Sequence, residues 1–199
     1  ARESFGLAPD KKTVLIVGGS LGARTINESV LAHLEEIRKS DVQFIWQTGK
    51  YYSQHIAEEL SKAEPVENLK VMDFISSMDN AYAAADIVVS RAGASSISEL
   101  CLFGKPCILV PSPNVAEDHQ TKNAMALSGR GAASLVKDKD AKDELIGVAL
   151  KTVMDDLKLD SLSGNVKMMA FHNAADVIAE EVYKLAVEYE KKMQEIFQF

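Results

Sequence analysis

The stretch TVLIVGGSLGAR, residues 13–24, contains the pattern that decides the fold. A run of mostly β-branched residues is followed by Gly18, Gly19 and Gly22, and apolar residues then recur at helical spacing. A short, nearly continuous apolar run is typical of a strand that is buried on both faces of a sheet. The stretch therefore predicts a strand, a glycine-rich turn and a helix.

The same alternation of strand and helix continues along the chain. Further apolar runs predict strands at residues 42–49, 69–74, 86–90, 106–113 and 132–136. Helical patterns lie at residues 21–39, 51–62, 78–85, 95–103, 119–128 and 173–199. The charged run KDKDAKDE, residues 137–144, is interpreted as a solvated loop and the start of a helix. Because alternating strands and helices form parallel sheets, we predict an α/β fold, with a Rossmann-like sheet of about six strands flanked by helices.

The composition fits one globular domain and excludes several classes of protein. The chain has 199 residues, 47% of them hydrophobic and 26% charged, and its net charge is −7. This acidic balance argues against a nucleic-acid partner, and no segment reaches the ~20 continuous apolar residues of a membrane span. Cys101 and Cys107 form no CxxC or Cys/His cluster, which fits a reduced cytosolic setting without zinc. No tightly bound metal or cofactor is predicted.

The first strand-to-helix turn is the first candidate for ligand contact, because open α/β sheets bind ligands beyond the carboxyl ends of their strands. Gly18 and Gly19 end the strand, and Gly22 is expected just inside the next helix. Ser20 is a candidate N-cap that could also donate to a phosphate. Glycines let an anion approach a helix N-terminus, where free N–H groups favour negative charge. A simple tight turn with a capped helix explains the same residues, so both interpretations stay open.

Two common nucleotide motifs are disfavoured. The dinucleotide fingerprint requires G-x-G-x-x-G and an acidic residue after the second strand. Here the glycines have a different spacing, and the second run ends in Gln47, Thr48 and Gly49. The P-loop requires a Ser or Thr after its lysine, and Pro106 follows Lys105. The sequence therefore argues against an NAD oxidoreductase and against a P-loop ATPase.

A second candidate turn lies in SRAGASSISEL, residues 90–100, which follows the fourth predicted strand and opens a helix. Glu99, inside that helix, can accept two hydrogen bonds from a vicinal diol such as a ribose. An exposed surface position, or an ion pair with Arg91, is the alternative for Glu99. The helix N-terminus suited to a phosphate would be formed by Gly93, Ala94, Ser95 and Ser96.

A third candidate lies in PSPNVAEDHQTKNA, residues 111–124, where His119, Gln120 and Asn123 begin a helix. Amide side chains suit sugar hydroxyls because each offers donors and an acceptor. The alternative is a polar helix start that is capped by Asp118. Together, three strand ends carry groups that suit a phosphate, a diol and hydroxyls, which predicts a site for a nucleotide joined to a sugar.

These segments, in this order, carry a family resemblance. GGSLGARTIN, WQTGK, FISSMDNAYAAADIVVSRAGASSISEL and GKPCILVPSPNVAEDHQTKNA resemble the C-terminal half of the MurG family of peptidoglycan N-acetylglucosaminyltransferases. The resemblance implies the donor-binding half of a GT-B glycosyltransferase, which has two Rossmann-like domains. It implies an inverting transfer of GlcNAc from UDP-GlcNAc to lipid I, giving lipid II, in the cytoplasm at the inner face of the bacterial cell membrane.

The resemblance also implies roles for individual residues. Ser20 would contact the diphosphate, the backbone of Ile75 the uracil edge, and Glu99 the ribose hydroxyls. His119 and Gln120 would face the GlcNAc. The remaining substrate-binding positions are Asn123, close to the sugar, and, around the phosphates, Gly18, Gly19, Gly22, Gly93, Ala94, Ser95 and Ser96.

Acceptor binding, the membrane-facing surface and the candidate base belong to the family's N-terminal domain, so no catalytic residue is assigned in this chain, which is expected to be inactive alone. We expect residues 1–199 to form one donor-binding domain. The helix at 173–199 would pack on the N-terminal domain through a stripe of Ile178, Val182 and Leu185. Two alternatives stay open: a UDP-GlcNAc 2-epimerase-like enzyme of the same architecture, and a non-catalytic nucleotide-sugar-binding module.

Overall fold

A computed structural model describes residues 1–196 and contains a sheet of six strands. These are β1 (Thr13–Val17), β2 (Gln43–Gln47), β3 (Leu69–Met72), β4 (Ile87–Ser90), β5 (Cys107–Leu109) and β6 (Ser134–Leu135). Their order is β3-β2-β1-β4-β5-β6, and each neighbouring pair is parallel. The predicted Rossmann-like parallel sheet is confirmed.

The strand order reverses between β1 and β4, and such a switch point opens a crevice at the carboxyl ends of the strands. Val17 and Ser90 are register partners at those ends. The glycine-rich turn after β1 and the turn after β4 therefore begin side by side. This register brings together two of the three stretches that the sequence singled out.

The described residues contain nine α-helices. They are α1 (Arg24–Ala32), α2 (Leu34–Lys39), α3 (Ser53–Lys62), α4 (Met78–Ala84), α5 (Ala94–Phe103), α6 (His119–Ser128), α7 (Asp138–Val153), α8 (Asp156–Lys167) and α9 (Ala174–Ile196). Within residues 1–196, none of them is both long and apolar enough to cross a membrane.

The core has one layer on each face of the sheet. In β1, Val14 and Ile16 belong to one buried cluster, whereas Leu15 and Val17 belong to the other. Successive side chains of a strand point to opposite faces, so a run of apolar residues supplies both layers at once. This explains why the strands appear in the sequence as continuous apolar runs rather than as alternating ones.

Two helical regions differ from the prediction. The single helix expected at residues 21–39 is divided by His33, whose backbone φ of −119° is not helical. In the charged segment after β6 the predicted helix start is confirmed, but the predicted loop is wrong, because α7 already begins at Asp138; this helix packs on α1 and buries Ala141, Leu145 and Ala149. Most charges of KDKDAKDE are exposed, although Asp138 and Asp140 are only partly so, and this density of charge hid the buried positions of the helix from the sequence analysis. α8 was also not predicted.

The last described helix, α9, carries the expected apolar stripe. Ile178, Val182 and Leu185 are all exposed. Residues 197–199 of the predicted helix at 173–199 lie outside the described residues. The packing of this stripe on a further domain stays a prediction.

Candidate ligand-binding site

The turn between β1 and α1 has glycines where the sequence places them, but the helix begins later than predicted. The N–H of Gly22 donates to the carbonyl of Gly19 at 3.0 Å, and both residues have positive φ. Gly22 has a positive φ and Ala23 an extended backbone, with φ −129° and ψ 112°, so the turn does not run directly into a helix and α1 starts at Arg24 with Ala23 as its N-cap. The predictions that Ser20 caps the helix and that Gly22 lies inside it are therefore wrong. Ser20 is exposed in the turn.

Backbone packing accounts for several of the glycines. A Cβ on Gly22 would lie 2.2 Å from the carbonyl oxygen of Thr48, and a Cβ on Gly49 would lie 2.2 Å from the nitrogen of Gly22. A Cβ on Gly18 would lie 2.4 Å from a backbone nitrogen at the start of α1. Gly19 faces open space, and its φ of +85° is what favours glycine there. The turns after β1 and β2 are thus fitted closely to each other.

The side chain of Gln47 connects two segments of the candidate site. Its Nε2 donates to the carbonyl of Gly19 at 3.0 Å, and its Oε1 accepts from the N–H of Ile75 at 3.3 Å. Gln47 is buried at the end of β2. The N–H of Ile75 is therefore already bonded within the protein. The sequence analysis considered Gln47 only because it is not a carboxylate. Nothing in the sequence alone indicates that its side chain bonds to two separate segments.

The start of α5 offers free backbone N–H groups, as predicted. Gly93 is the N-cap, with no side-chain capping bond, and the first helical bond runs from the N–H of Ile97 to the carbonyl of Gly93 at 3.0 Å. The N–H groups of Ala94, Ser95 and Ser96 therefore lie outside the helical ladder. Such groups, with the positive end of the helix dipole, can bind an anion.

Glu99 has a partner that the sequence did not predict. Its Oε2 accepts a hydrogen bond from the hydroxyl of Tyr82 on α4 at 2.8 Å. Burial, and then the hydrogen bond to the Glu99 carboxylate, raises the pKa of Tyr82 well above its ordinary value. Glu99 does not pair with Arg91, so the predicted ion pair is wrong. Its exposed position on α5 agrees with the other alternative, an ordinary helix surface residue.

A cavity of about 170 Å³ lies between these elements. It is called the smaller cavity here, and its lining includes Gly19, Ser20, Gln47, Phe74, Ile75, Met78, Tyr82, Ser96 and Glu99. Four strand ends contribute to it: the turns after β1 and β4, the end of β2 and the segment after β3. Four predicted site residues other than Gly19 meet there, although they are far apart in the sequence.

Arg91 lies in a polar network on the other side of the β1–α1 turn. Its Nη1 donates to the carbonyl of Val110 at 3.0 Å and forms an ion pair with Asp138, the first residue of α7. Asp138 also accepts from the hydroxyl of Thr25 at 3.1 Å. The pair is mostly buried, with side-chain exposures of 16% for Arg91 and 20% for Asp138. The network ties the starts of α1 and α7 to the ends of β4 and β5.

This network borders a second cavity of about 470 Å³, called the larger cavity here. Its lining includes Gly18, Gly22, Arg24, Thr25, Tyr52, Arg91, Ser112, Asn114, Gln120 and Asp138. The two cavities lie on either side of the β1–α1 turn, since Gly18 and Gly22 line one and Gly19 and Ser20 line the other. A ligand that crosses the turn can occupy both.

The three predicted residues of α6 have different environments. Gln120 lines the larger cavity, and its Oε1 accepts from the N–H of Ser112 at 2.9 Å. Asn123 donates from Nδ2 to the carbonyl of Ala92 at 3.1 Å and so holds the turn after β4. His119 is exposed at the first position of the helix and lines neither cavity. The structure therefore does not place His119 with the other site residues.

The segment before α6 is strained. Glu117 and Asp118 both have a φ of +53°, in the left-handed region that side chains with a Cβ rarely adopt. Asp118 occupies the N-cap position, but its side chain makes no capping bond, so the predicted cap is wrong. Residues in such conformations cost about 1–3 kcal/mol each and occur often at ligand sites.

The described residues offer no evident metal site. Among residues 1–196, no group of three His, Cys, Asp or Glu side chains is placed to hold a metal ion. Asp138 and Asp140 are separated by one residue, but Asp138 is bonded to Arg91 and Thr25. The polar groups around the two cavities are hydroxyls, amides, backbone N–H groups, two guanidinium groups and carboxylates.

In this parallel sheet the strand order reverses between β1 and β4, and helix starts and polar side chains lie at the carboxyl ends of the strands. This is the arrangement of a nucleotide-binding α/β domain. The model of the glycosyltransferase family 28 C-terminal domain matches residues 13–181. The chain therefore belongs to this family of domains.

One relative in sequence is the UDP-N-acetylglucosamine–N-acetylmuramyl-(pentapeptide) pyrophosphoryl-undecaprenol N-acetylglucosamine transferase of Bacteroides fragilis. The chain is 59% identical to it over 187 residues, which cover 94% of this chain and 49% of that protein. The chain thus spans about half the length of the curated relatives that it matches. The resemblance inferred from the sequence motifs is confirmed.

Solved structures show the same fold. The crystal structure of Acinetobacter baumannii MurG matches with a TM-score of 0.77 and 28% identity, over 92% of this chain and 52% of that one. The structure of UDP-GlcNAc 2-epimerase from Neisseria meningitidis, bound to UDP-GlcNAc, matches with a TM-score of 0.63 and 16% identity, over 92% and 47%. The second likeness is one of fold alone.

Proposed function

We propose that this chain is the domain that binds UDP-GlcNAc in an enzyme that transfers GlcNAc to lipid I and forms lipid II in peptidoglycan synthesis. The observation that carries the proposal is the pair of cavities on either side of the β1–α1 turn, in a family 28 C-terminal domain. The similarity to a transferase of this activity supports the choice of donor and product.

The arrangement of the two cavities suggests how the donor lies. The uridine would occupy the smaller cavity, with its uracil beside the segment of Ile75 and its ribose at Glu99. The diphosphate would cross the β1–α1 turn at Ser20, facing the start of α5. The GlcNAc would extend into the larger cavity toward Gln120. His119 and Asn123 are the less direct sugar contacts. His119 does not line the larger cavity, and the side chain of Asn123 donates to the carbonyl of Ala92.

The chemistry that this half supplies is stabilisation of the leaving group. When an acceptor hydroxyl displaces UDP from the anomeric carbon, negative charge develops on the diphosphate. The N–H groups of Ala94, Ser95 and Ser96 lie at the positive end of α5 and can stabilise that charge. Preorganised donors of this kind contribute about 2.7–4 kcal/mol each in other enzymes. The acceptor and the base that activates it are proposed to belong to the other half of the enzyme.

We also propose a place for α9. The relatives that the chain matches are about twice its length, and Ile178, Val182 and Leu185 form an exposed apolar stripe on α9. Burial of that stripe against an N-terminal acceptor-binding domain would remove it from water. That domain would bind lipid I and contact the membrane surface, so the whole enzyme would be cytoplasmic and peripheral on the inner face of the cell membrane. The net charge of −7 gives no support for a nucleic-acid partner.

Two alternatives differ from this proposal in what they predict. An epimerase of the same architecture would change UDP-GlcNAc without an acceptor, and its support is a likeness of 16% identity against 59% for the transferase. A non-catalytic binding module would bind the nucleotide sugar without chemistry. Release of altered sugar products by the full-length enzyme, in the absence of lipid I, would favour the epimerase.

The experiment that tests the donor site is the substitution Glu99→Ala, with UDP affinity measured by calorimetry. We expect binding to weaken by about tenfold to a hundredfold, because a hydrogen bond to a charged group contributes about 1.5–3 kcal/mol. Glu180→Ala on exposed α9 is the matched control and should bind as the wild type does. An unchanged affinity in Glu99→Ala would remove the ribose assignment.

A further inference from the structure

The hydrogen bond between Tyr82 and Glu99 joins two helices at the wall of the smaller cavity. The Tyr82 hydroxyl lies 2.8 Å from Glu99 Oε2, and the two residues belong to α4 and α5. Both line the smaller cavity, together with Ser20, Ile75 and Ser96. The contact therefore lies inside the proposed nucleoside site rather than on a distant surface.

The two partners differ in their freedom to move. Tyr82 is only 3% exposed, and its ring packs on Phe103 with ring centroids 5.0 Å apart. Glu99 is exposed, and a free glutamate side chain would sample several rotamers. Because the tyrosine is fixed by packing and the glutamate is not, the hydrogen bond orients the glutamate.

The bond also determines which carboxylate oxygen serves a ligand. An ionised carboxylate has two oxygens, with about four acceptor positions in all. The Tyr82 hydroxyl occupies Oε2, which leaves both acceptor positions of Oε1 for a diol. The raised pKa of Tyr82 keeps its hydroxyl protonated, and so a donor, well into the alkaline range.

We propose that Tyr82 is a positioning residue that holds the Glu99 carboxylate so that Oε1 accepts from the ribose hydroxyls, and that this pair makes the site prefer ribose to 2′-deoxyribose. The inference rests on the proposed function, since it deepens the description of the same nucleotide site. The family resemblance implies a role for Glu99 alone, and Tyr82 was not among the predicted site residues.

The test compares UDP with 2′-deoxyuridine diphosphate by calorimetry, in the wild type and in Tyr82→Phe. We expect the wild type to prefer UDP by about tenfold, the value of one hydrogen bond to a charged group. In Tyr82→Phe this preference should fall to about twofold, because UDP weakens while the deoxy ligand changes little. Tyr183→Phe removes the hydroxyl of an exposed tyrosine on α9 and should keep the wild-type ratio.

The outcomes separate this inference from the proposed function. If Tyr82→Phe lowers the affinity for both ligands equally, the wild-type preference for UDP is kept. Tyr82 then has only a structural role, and the inference is overturned. If the wild type binds UDP without preferring it, the proposed donor site survives and this inference does not. If the wild type binds neither ligand, the proposed function fails and the inference fails with it.

A second variant keeps the test valid if Tyr82→Phe does not fold, which thermal unfolding would show. Glu99→Gln keeps an oxygen that can accept from Tyr82, but it presents an NH₂ group in place of Oε1. We expect its UDP preference to fall to about twofold or less, as for a lost charged hydrogen bond. A retained preference in this variant would also overturn the inference.

Discussion

Gln47 accepts a hydrogen bond from the backbone N–H of Ile75 across a distance of 3.3 Å, through a buried side chain at the end of β2. The same side chain donates to the carbonyl of Gly19. One amide thus fixes the segment after β3 against the turn after β1, and both segments line the smaller cavity. The proposed uracil and diphosphate positions are therefore set relative to each other by a residue that is itself buried.

The substitution Gln47→Ala tests this connection. It leaves the N–H of Ile75 and the carbonyl of Gly19 without their partner, so we expect a loss of about 1–3 kcal/mol in the free energy of unfolding. UDP affinity should also fall, because the two segments are no longer held together. Gln54→Ala, at an exposed position of α3, is the control and should change neither urea unfolding nor calorimetric binding. Equal behaviour of the two variants would contradict the account of Gln47.

The substitution Asp138→Ala tests the network around Arg91. Removal of the carboxylate leaves a mostly buried guanidinium without its ion pair, and we expect a loss of about 1–3 kcal/mol in the free energy of unfolding. Asp140→Ala removes a charge from the same first turn of α7, where a carboxylate contributes about 0.3–1 kcal/mol through the helix dipole. Chemical denaturation of both variants measures the difference. If Asp140→Ala lowered the free energy of unfolding as much as Asp138→Ala does, the network around Arg91 would contribute nothing to stability.

The substitution Gly22→Ala tests the close fit of the two turns. A Cβ there would meet the carbonyl oxygen of Thr48 at 2.2 Å, at a φ of +86°, so we expect a loss of more than about 1 kcal/mol in stability. Gly147→Ala is the matched control, because that glycine lies within α7 and faces open space. It should raise stability by about 0.5–1 kcal/mol, the helix propensity difference between glycine and alanine. Thermal unfolding of both variants measures these changes in stability. A Gly22→Ala protein as stable as the wild type would contradict the close packing of the two turns.

Cys107 predicts a dependence of stability on alkaline pH. Burial raises its pKa from 9.0 to about 12 in the folded protein. The folded state therefore keeps this proton where the unfolded state loses it. The stability that it contributes is complete below pH 9.0 and is lost as the pH rises from 9.0 through about 12.

Urea unfolding at several pH values measures this contribution. The wild type should lose more stability between pH 8 and about pH 10.5 than Cys107→Ala does, because only the wild type has the linked thiol. The comparison of slopes removes the contribution of the lysines and tyrosines, which both proteins share. Identical slopes would show that the thiol has the same pKa in the folded and unfolded states.

The sequence was sufficient for the six strands but not for the extent of α7, for α8 or for the break between α1 and α2. Six apolar runs predict six strands, because parallel strands buried on both faces leave a strong local signal. α7 leaves a weak signal beyond its first turn, since KDKDAKDE is dominated by charges, most of them exposed, and the burial of the helix depends on its packing against α1. His33 interrupts a helix whose apolar spacing continues on both sides, so no periodicity marks the break.

The candidate site was predictable in its glycines, the start of α5 and Glu99, which lie in or just after turns that follow recognisable strands. Gln47, Tyr82 and Asp138 were missed for one physical reason. Each acts through a hydrogen bond or ion pair to a partner 17 or more residues away in the sequence. Such pairs depend on the parallel register and on helix packing, which no local pattern encodes.

The most direct measurement is a calorimetric titration of UDP-GlcNAc into this chain, with ADP-ribose as the control ligand. The account predicts that UDP-GlcNAc binds at a single site, because the uracil segment, the ribose carboxylate and the helix start of α5 all lie within this domain. It predicts that ADP-ribose, which has the diphosphate and ribose but not the uracil, does not bind. Equal binding of the two ligands, or no binding of UDP-GlcNAc either here or to the full-length enzyme, would contradict the assignment of a UDP-GlcNAc site.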